Sequence, residues 1–273
     1  MDQHLTRVSV ERNWGEHVNH ILIQLSFRGS SYSGFQVQAN AITVQQVLQD
    51  ALEKVLGVKP PIVGCSRTDA GVHARRFYCT IPVLTQFPIE RLPDALNFHL
   101  PKDTAVAGAC MVDLGFHARY TVIAREYRYN IWLAPYRNVF DADTSLHCHK
   151  KVDVEAFKAQ ALYFKGTHDF AAFQATGSST RSTVRTVYDC SASKAGDMLT
   201  LSIVANGYLY NMARIMVGTL IEAASGAQRD VRSILLSADR KEAGYTAPAH
   251  GLTLHQVYYP PGSTAFPETE FHL

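Results

Sequence analysis

The chain has 273 residues, 47% of them hydrophobic and 18% charged, with a net charge of +2. That length supports two compact domains or one large one with a real core, and the mild charge does not by itself mark a nucleic-acid binder. No apolar run approaches the roughly 18 residues a membrane helix needs, and the polar start MDQHLTRVSVERNWGEH does not read as a secretory signal, so a cytoplasmic location is expected.

In chain order, HVNHILIQLSF reads as a strand with partial alternation, followed by the Gly- and Ser-rich loop RGSSYSGFQ. Val44, Val47, Leu48, Ala51, Leu52, Val55 and Leu56 fall on one face of a helix. Thr43 can cap that helix, Gln46 completes a capping-box pattern and Gly57 ends it. Strand-like PIVGCS and RRFYCTIPV follow, then a helix around Ile89–Phe98 and the strand TAVAGACMV. The alternation resumes with the strand AREYRYNIWL and a helix in DVEAFKAQALYFKG, with Asp153 as cap and Gly166 as stop. VRTVYDCSAS and MLTLSIVAN read as hairpin strands joined at KAGD. A helix from about Tyr210 to Ala224, a short one near Val231–Ala238 and the strand GLTLHQVYY close the chain. Two α+β halves meeting near Asp113–Gly115 fit this order, although their sequences show no convincing repeat.

Three features can carry chemistry. The first is Asp69, inside VGCSRTDAGVHARR between Gly64 and Gly71, where the backbone can turn sharply and approach a ligand. Arg67 nearby is expected to favour the ionised carboxylate and lower its pKa. Such a group suits nucleophilic or electrostatic work, and the ordinary alternative is a turn residue bonding its own backbone. The second is Arg214, the only charged residue in the 24-residue run MLTLSIVANGYLYNMARIMVGTLI. A helix this apolar is largely buried, so its guanidinium must pair with an acid or reach a phosphate. The third is the strand REYRY, which puts Tyr127, Tyr129 and Arg125 on one face and Arg128 on the other. Aromatic rings beside arginines suit a stacked base over a phosphate path, or they are half-buried sheet residues.

Arginine accounts for 17 of the 26 basic residues, and its fork binds phosphate through two hydrogen bonds. Arg67, Arg75 and Arg76 cluster, as do Arg119, Arg125 and Arg128, and Arg181 and Arg185. The five cysteines form no C-x-x-C and read as reduced structural thiols. His147 and His149 in HCHK lack a third ligand at metal spacing, and the DAD run at 141–143 is a weak magnesium pair. A metal-dependent hydrolase built on them would need bound metal. His73 reads as a structural histidine, and neither a P-loop nor a G-x-G-x-x-G supports a nucleotide cofactor.

With these residues assembled, the sequence resembles the TruA family of tRNA pseudouridine synthases. RTDAGVHA, Arg67 to Ala74, matches the family's eight-residue signature around its invariant acid. SGFQVQANAITVQQVLQDAL, FHARYTVIAREYRY, HDFAAF, STVRTV, LYNMARIMVGTL and TAPAHGLTLHQVYY resemble further family motifs in order along nearly the whole chain. The resemblance implies an α+β fold of two fused ferredoxin- or RRM-like halves, residues 1–113 and 114–273. They would form one continuous, mostly antiparallel sheet with helices on one face and a central active-site cleft.

The same resemblance makes Asp69 the catalytic aspartate and Arg214 its partner. Tyr127 becomes the tyrosine that stacks on the target uracil, and Arg67 an arginine that helps draw the base out. Arg119, Arg128 and Arg75 are expected to bind the RNA backbone. The implied activity is isomerisation of uridine to pseudouridine in the anticodon stem-loop, positions 38–40, by a homodimer without metal or other cofactor. Asp69 would add to the sugar, add to the base or remove a sugar proton. The alternative is a catalytically silent tRNA-binding protein on the same scaffold. Arg28 stands where the family usually has aspartate, and Phe35 replaces a common tryptophan. Cys65–Ser66 replace Ala-Gly, and Ala213 and Ile215 flank Arg214 where Val and Asn are common. These departures bear on which uridines are chosen.

Overall fold

The computed structural model describes residues 20–82, 87–177, 180–227 and 230–269. Among them ten strands form one sheet. They are β1 (His20–Phe27), β2 (Val63–Gly64), β3 (His73–Pro82), β4 (Thr104–Val112), β5 (Ala124–Trp132), β6 (Leu146–His147), β7 (Gly166–Asp169), β8 (Val184–Ala195), β9 (Met198–Ala205) and β10 (Leu252–Tyr258). The order is β4-β1-β3-β10-β5-β9-β8-β7, with β2 beside β3 and β6 beside β5. All pairs are antiparallel except β3 with β10 and β5 with β6. This is the mixed α+β, mostly antiparallel architecture expected from the sequence.

The last strand joins the two sides of the sheet at its middle, between β3 and β5. Leu254 of β10 pairs with Ala74 of β3 on one side and with Tyr127 of β5 on the other. The strands that follow the Asp69 loop and carry the tyrosines therefore sit one strand apart, although 54 residues separate Phe77 from Ile131. In β9 burial alternates strictly along the strand, the pattern of a sheet with one covered face. β1 and β3 are buried almost throughout, because the segment after β10 packs on their other face. There Tyr259 and Phe266 both meet Tyr78, and Gln24 bonds Glu268.

The helices are α1 (Val44–Leu56), α2 (Leu92–His99), α3 (Val154–Ala161), α4 (Met212–Ala224) and α5 (Val231–Ser237). Thr43 caps α1 by accepting from the Gln46 amide, and Gly57 closes it in the left-handed conformation at φ 71°. Asp153 caps α3 as expected. Gly166, however, does not stop that helix. The chain leaves α3 through a 3-10 turn at Leu162–Phe164, and Gly166 opens β7 at φ 119°. The strand expected at PIVGCS shrinks to the two residues of β2, and the short, polar β6 and β7 give no periodic signal. Of the strand expected over 17–27, the first three residues lie outside the described ones, as does residue 83 of RRFYCTIPV. No helix among the described residues is long and apolar enough to cross a membrane. All five cysteines are free, four of them buried.

Candidate active site

Asp69 sits in the loop from β2 to β3, and a second loop is built against it. The Gly71 amide donates to Tyr32 O and the Phe35 amide to Thr68 O, while Val72 N closes the turn on Asp69 O. The RGSSYSGF loop needs its glycines for this contact. A Cβ at Gly29 would stand 2.1 Å from the Val72 carbonyl oxygen, and one at Gly34, where φ is 91°, 2.5 Å from that of Thr68. His73 locks the far side. Its Nδ1 accepts from the Gly29 amide at 3.0 Å, so Nε2 carries the proton and donates to His250 O at 3.0 Å. Burial holds the His73 pKa below the usual histidine value, as suits a neutral structural imidazole.

Arg214 comes from the first turn of α4, on the other half of the chain. Its Nε donates to Ala247 O at 2.7 Å and its Nη1 to Asn211 Oδ1 at 2.8 Å; Nη1 also stands 3.5 Å from Asp69 Oδ2. The first two contacts aim the guanidinium, and the last is long for a charged pair. Asn211 adopts φ 59°, a conformation asparagine tolerates, and spends its side chain on Arg214 rather than on capping the helix. The segment carrying Ala247 lies hard against α4. A Cβ at Gly218 would come 1.8 Å from the Tyr245 carbonyl oxygen, and Thr219 Oγ1 accepts from the Gly244 amide.

Tyr127 and Arg125 share one face of β5, as the alternation predicts. Tyr127 lines the same cavity, with its hydroxyl 3.3 Å from Ser66 Oγ and its ring edge-on to Tyr208 at 4.8 Å. Only 7% of the residue is exposed, so a ligand reaches one patch of the ring; burial pushes its pKa to about 12. Arg125 donates to the carbonyls of Cys65 and Arg119, tying the Asp69 loop to the second half of the chain.

Asp69, Tyr127 and Arg214 thus meet in one cavity of about 520 Å³, lined also by Arg67 and Arg119. The electrostatics differ from the sequence expectation. Burial raises the Asp69 pKa above the usual carboxylate value, and the group that opposes this is Arg214. Arg67 was expected to lower it but is exposed at the cavity lining and makes no bond to the carboxylate among the described contacts, so water screens its charge.

Arg75 and Arg128 are not brought to this cavity. Arg128 points to the opposite face of β5, where its Nε pairs with Glu126 at 2.6 Å. Arg75 lies beside Arg76, which bonds Gln256, on the same side of the sheet. Conversely, Tyr208, Asn211 and Arg185 line the cavity without having been singled out for it. Arg185 is close to Arg181 in sequence, but nothing local ties it to Asp69. His147 Nε2 is 2.9 Å from Ala134 O. Among the described residues no three His, Cys, Asp or Glu side chains gather closely enough to hold a metal ion.

Comparison with known proteins places the chain in a family. A family model described as tRNA pseudouridine synthase matches residues 24–121 and 160–260. The chain belongs to the tRNA pseudouridine synthase family. Among curated members, tRNA pseudouridine synthase A of Clostridium kluyveri is 41% identical over 244 residues, 89% of this chain and all of that one. The protein of the same name from Thermoanaerobacter pseudethanolicus is 43% identical over the same shares. Of solved structures, a chain of a Cbf5-Nop10-Gar1 complex aligns with 88% of this chain and 59% of its own length. Its sequence identity is 8% and its TM-score 0.35, too low to carry an argument. Both segments of the family match reach the cavity, one through Asp69 and the other through Arg214.

Proposed function

We propose that this protein isomerises uridine to pseudouridine in tRNA, acting on the anticodon stem-loop at positions 38–40, with Asp69 as the catalytic residue. The observation that carries the reading is the meeting of Asp69, Arg214 and Tyr127 in one cavity, from segments 145 residues apart. In the reaction the bond from C1′ to N1 of uracil breaks and one from C1′ to C5 forms. N1 gains a proton and C5 loses one to solvent. The change is redox-neutral and transfers no external group, so it calls for no oxidant, reductant or group donor.

Each residue then has a task. The target base must leave its stack, at a cost of a few kcal/mol. Contact with the exposed patch of Tyr127 and enclosure in the cavity offset that cost. Arg67, Arg119 and Arg185, at the cavity lining, serve the displaced strand and its phosphates. Asp69 acts at the glycosidic centre. Arg214 positions it and favours its ionised form against the desolvation of the cavity. Arg75 and Arg128, on the other face of the sheet, take no part in this cavity. The protein works as a homodimer in this reading, as its family resemblance implies.

The test is release of tritium from tRNA labelled at uracil C5. Wild-type protein is expected to release label stoichiometrically with pseudouridine, and Asp69→Asn to release none while binding the RNA. Comparable release by that variant would remove Asp69 from the chemistry.

A further inference from the structure

A second, smaller pocket of about 230 Å³ adjoins the Asp69 cavity. Ser66, Arg67, Arg119 and Tyr120 line both, so they form a ridge between them. Phe35 and Ile62 give the smaller pocket an apolar floor. Phe35 is itself stacked on Phe77 at 4.2 Å, and Gly64 leaves it room, since a Cβ there would stand 2.5 Å from the Phe35 ring.

The unusual member of the ridge is Tyr120. It is 77% exposed, yet its turn is held on every side. The amides of Arg119 and Tyr120 both donate to His117 Nδ1, at 3.1 and 3.2 Å. Thr121 N donates to His117 O, and His117 N to Thr121 Oγ1, each at 3.0 Å. The His117 ring lies 4.3 Å from that of Tyr120 at 30°, and the Arg119 guanidinium is 5.9 Å from the Tyr120 centroid. Phe98 and Phe140 are as exposed, but neither lines a pocket of the cleft. Tyr120 is therefore an aromatic face held in water, pre-ordered by its own turn, beside the cavity that takes the target base. Pre-ordering removes the entropy cost that a floppy ring would pay on stacking, and any nucleobase can stack on such a face.

Backbone connectivity keeps the nucleotide next to the target within one phosphate of it, so that neighbour settles at the rim of the Asp69 cavity. We propose that Tyr120, braced by His117, is the stacking platform for the base adjacent to the target uridine, which lodges in the pocket behind the ridge. This rests on the RNA substrate proposed above and names a binding role for a residue outside the Asp69–Tyr127–Arg214 group.

The experiment is fluorescence-anisotropy binding to an anticodon stem-loop RNA, intact or abasic at the 5′ or the 3′ neighbour of the target uridine. Asp69→Asn protein serves as background so that no turnover intervenes. Adding Tyr120→Ala is expected to weaken binding to intact RNA about tenfold, the scale of one base–aromatic stack. One of the two abasic RNAs should bind the background protein about tenfold more weakly, and on that RNA Tyr120→Ala should cost nothing further. Tyr120→Phe should bind like the background protein, since the ring and not the hydroxyl is at work. Unchanged binding by Tyr120→Ala to intact RNA overturns the proposal, and so does an equal further loss on both abasic RNAs. Tritium release by the wild type on the same stem-loop is a separate readout. Its absence counts against the proposed reaction, while the coupling between ring and base is still scored by binding.

Discussion

Removing the Arg214 guanidinium is the sharpest perturbation of the proposed site, because its effect on Asp69 has a definite sign. Burial raises the Asp69 pKa and Arg214 opposes that rise. Arg214→Met keeps a long apolar stem on α4 but leaves burial unopposed, so the pKa climbs further. Two unit charges at the observed 3.5 Å separation interact by about 1 kcal/mol in a water-like dielectric and about 5 kcal/mol at an effective dielectric near 20. With 31% of the Asp69 side chain exposed, the lower half of that range applies. At about 1.4 kcal/mol per unit, the expected upward shift is about 1 to 2 pH units. If the ionised carboxylate is the working form, the acid limb of kcat/KM for tritium release moves to higher pH by the same amount. The shift is read independently of turnover by 13C NMR titration of protein labelled at aspartate carboxyls, with Asp69→Asn supplying the assignment. Arg214→Lys should shift less than Arg214→Met, since it keeps a charge but loses the fork that reaches both Ala247 O and Asn211 Oδ1. An Asp69 midpoint unchanged in Arg214→Met refutes the electrostatic pairing.

The burial-raised pKa of Asp69 in the wild type predicts that Asp69→Asn melts at a higher temperature than the wild type at pH 7. The ionised carboxylate costs the fold there, and the gain should fade as pH drops through the folded pKa and the wild type takes up its proton. Equal or lower melting temperatures across the range would contradict it. His73 runs the other way. Its folded pKa lies below 6.5, so stability is full above 6.5. It falls by up to about 1.4 kcal/mol per pH unit below that, until the folded imidazole is itself protonated and loses its bond from Gly29 N. Urea melts between pH 8 and 5 on wild type and His73→Gln should show a slope in the first that is reduced in the second. Gly218→Ala should destabilise by about 1–3 kcal/mol, outweighing the roughly 1 kcal/mol that alanine gains in a helix. Its methyl meets the backbone carbonyl of Tyr245 rather than a movable side chain. Turnover should fall with it, because the segment displaced carries Ala247 O. A variant as stable and active as wild type would mean that the segment shifts freely.

The elements of the fold were legible wherever a periodic pattern met a chemical stop. Thr43, Gln46 and Gly57 bounded α1 to the residue, and the hairpin at Gly196–Asp197 was marked by its turn chemistry. Gly166 misled because a glycine past a helix serves equally well to start a strand at positive φ. What no local pattern could give was the position of β10. Its sequence says strand, but nothing in GLTLHQVYY says that Leu254 pairs with both Ala74 and Tyr127. That one placement fixes the distance between the Asp69 loop and the tyrosine strand, and with it the cavity.

The site was legible by type and illegible by geometry, and Arg67 shows why. A charge two residues from Asp69 in sequence was a sound candidate for its electrostatic partner. Closeness in sequence does not decide the pairing, however: Arg67 is exposed and spends its charge in water. Arg214 is 145 residues away, yet it is the one whose charge is shielded enough to count. The same rule sorts the other arginines. Arg125 and Arg128 are three apart on β5, and strand alternation sends the first to the cleft wall and the second to Glu126 behind it. Strand parity alone separates Arg128 from Tyr127 and Arg125. It does not sort Arg75, because β3 is bulged where it pairs with β1: Leu25 faces Phe77 but Phe27 faces Ala74. An extra residue at a bulge breaks the alternation on which any parity argument depends. Sequence therefore names the side chains able to do this chemistry, while the sheet's register and its bulges decide which of them the carboxylate meets.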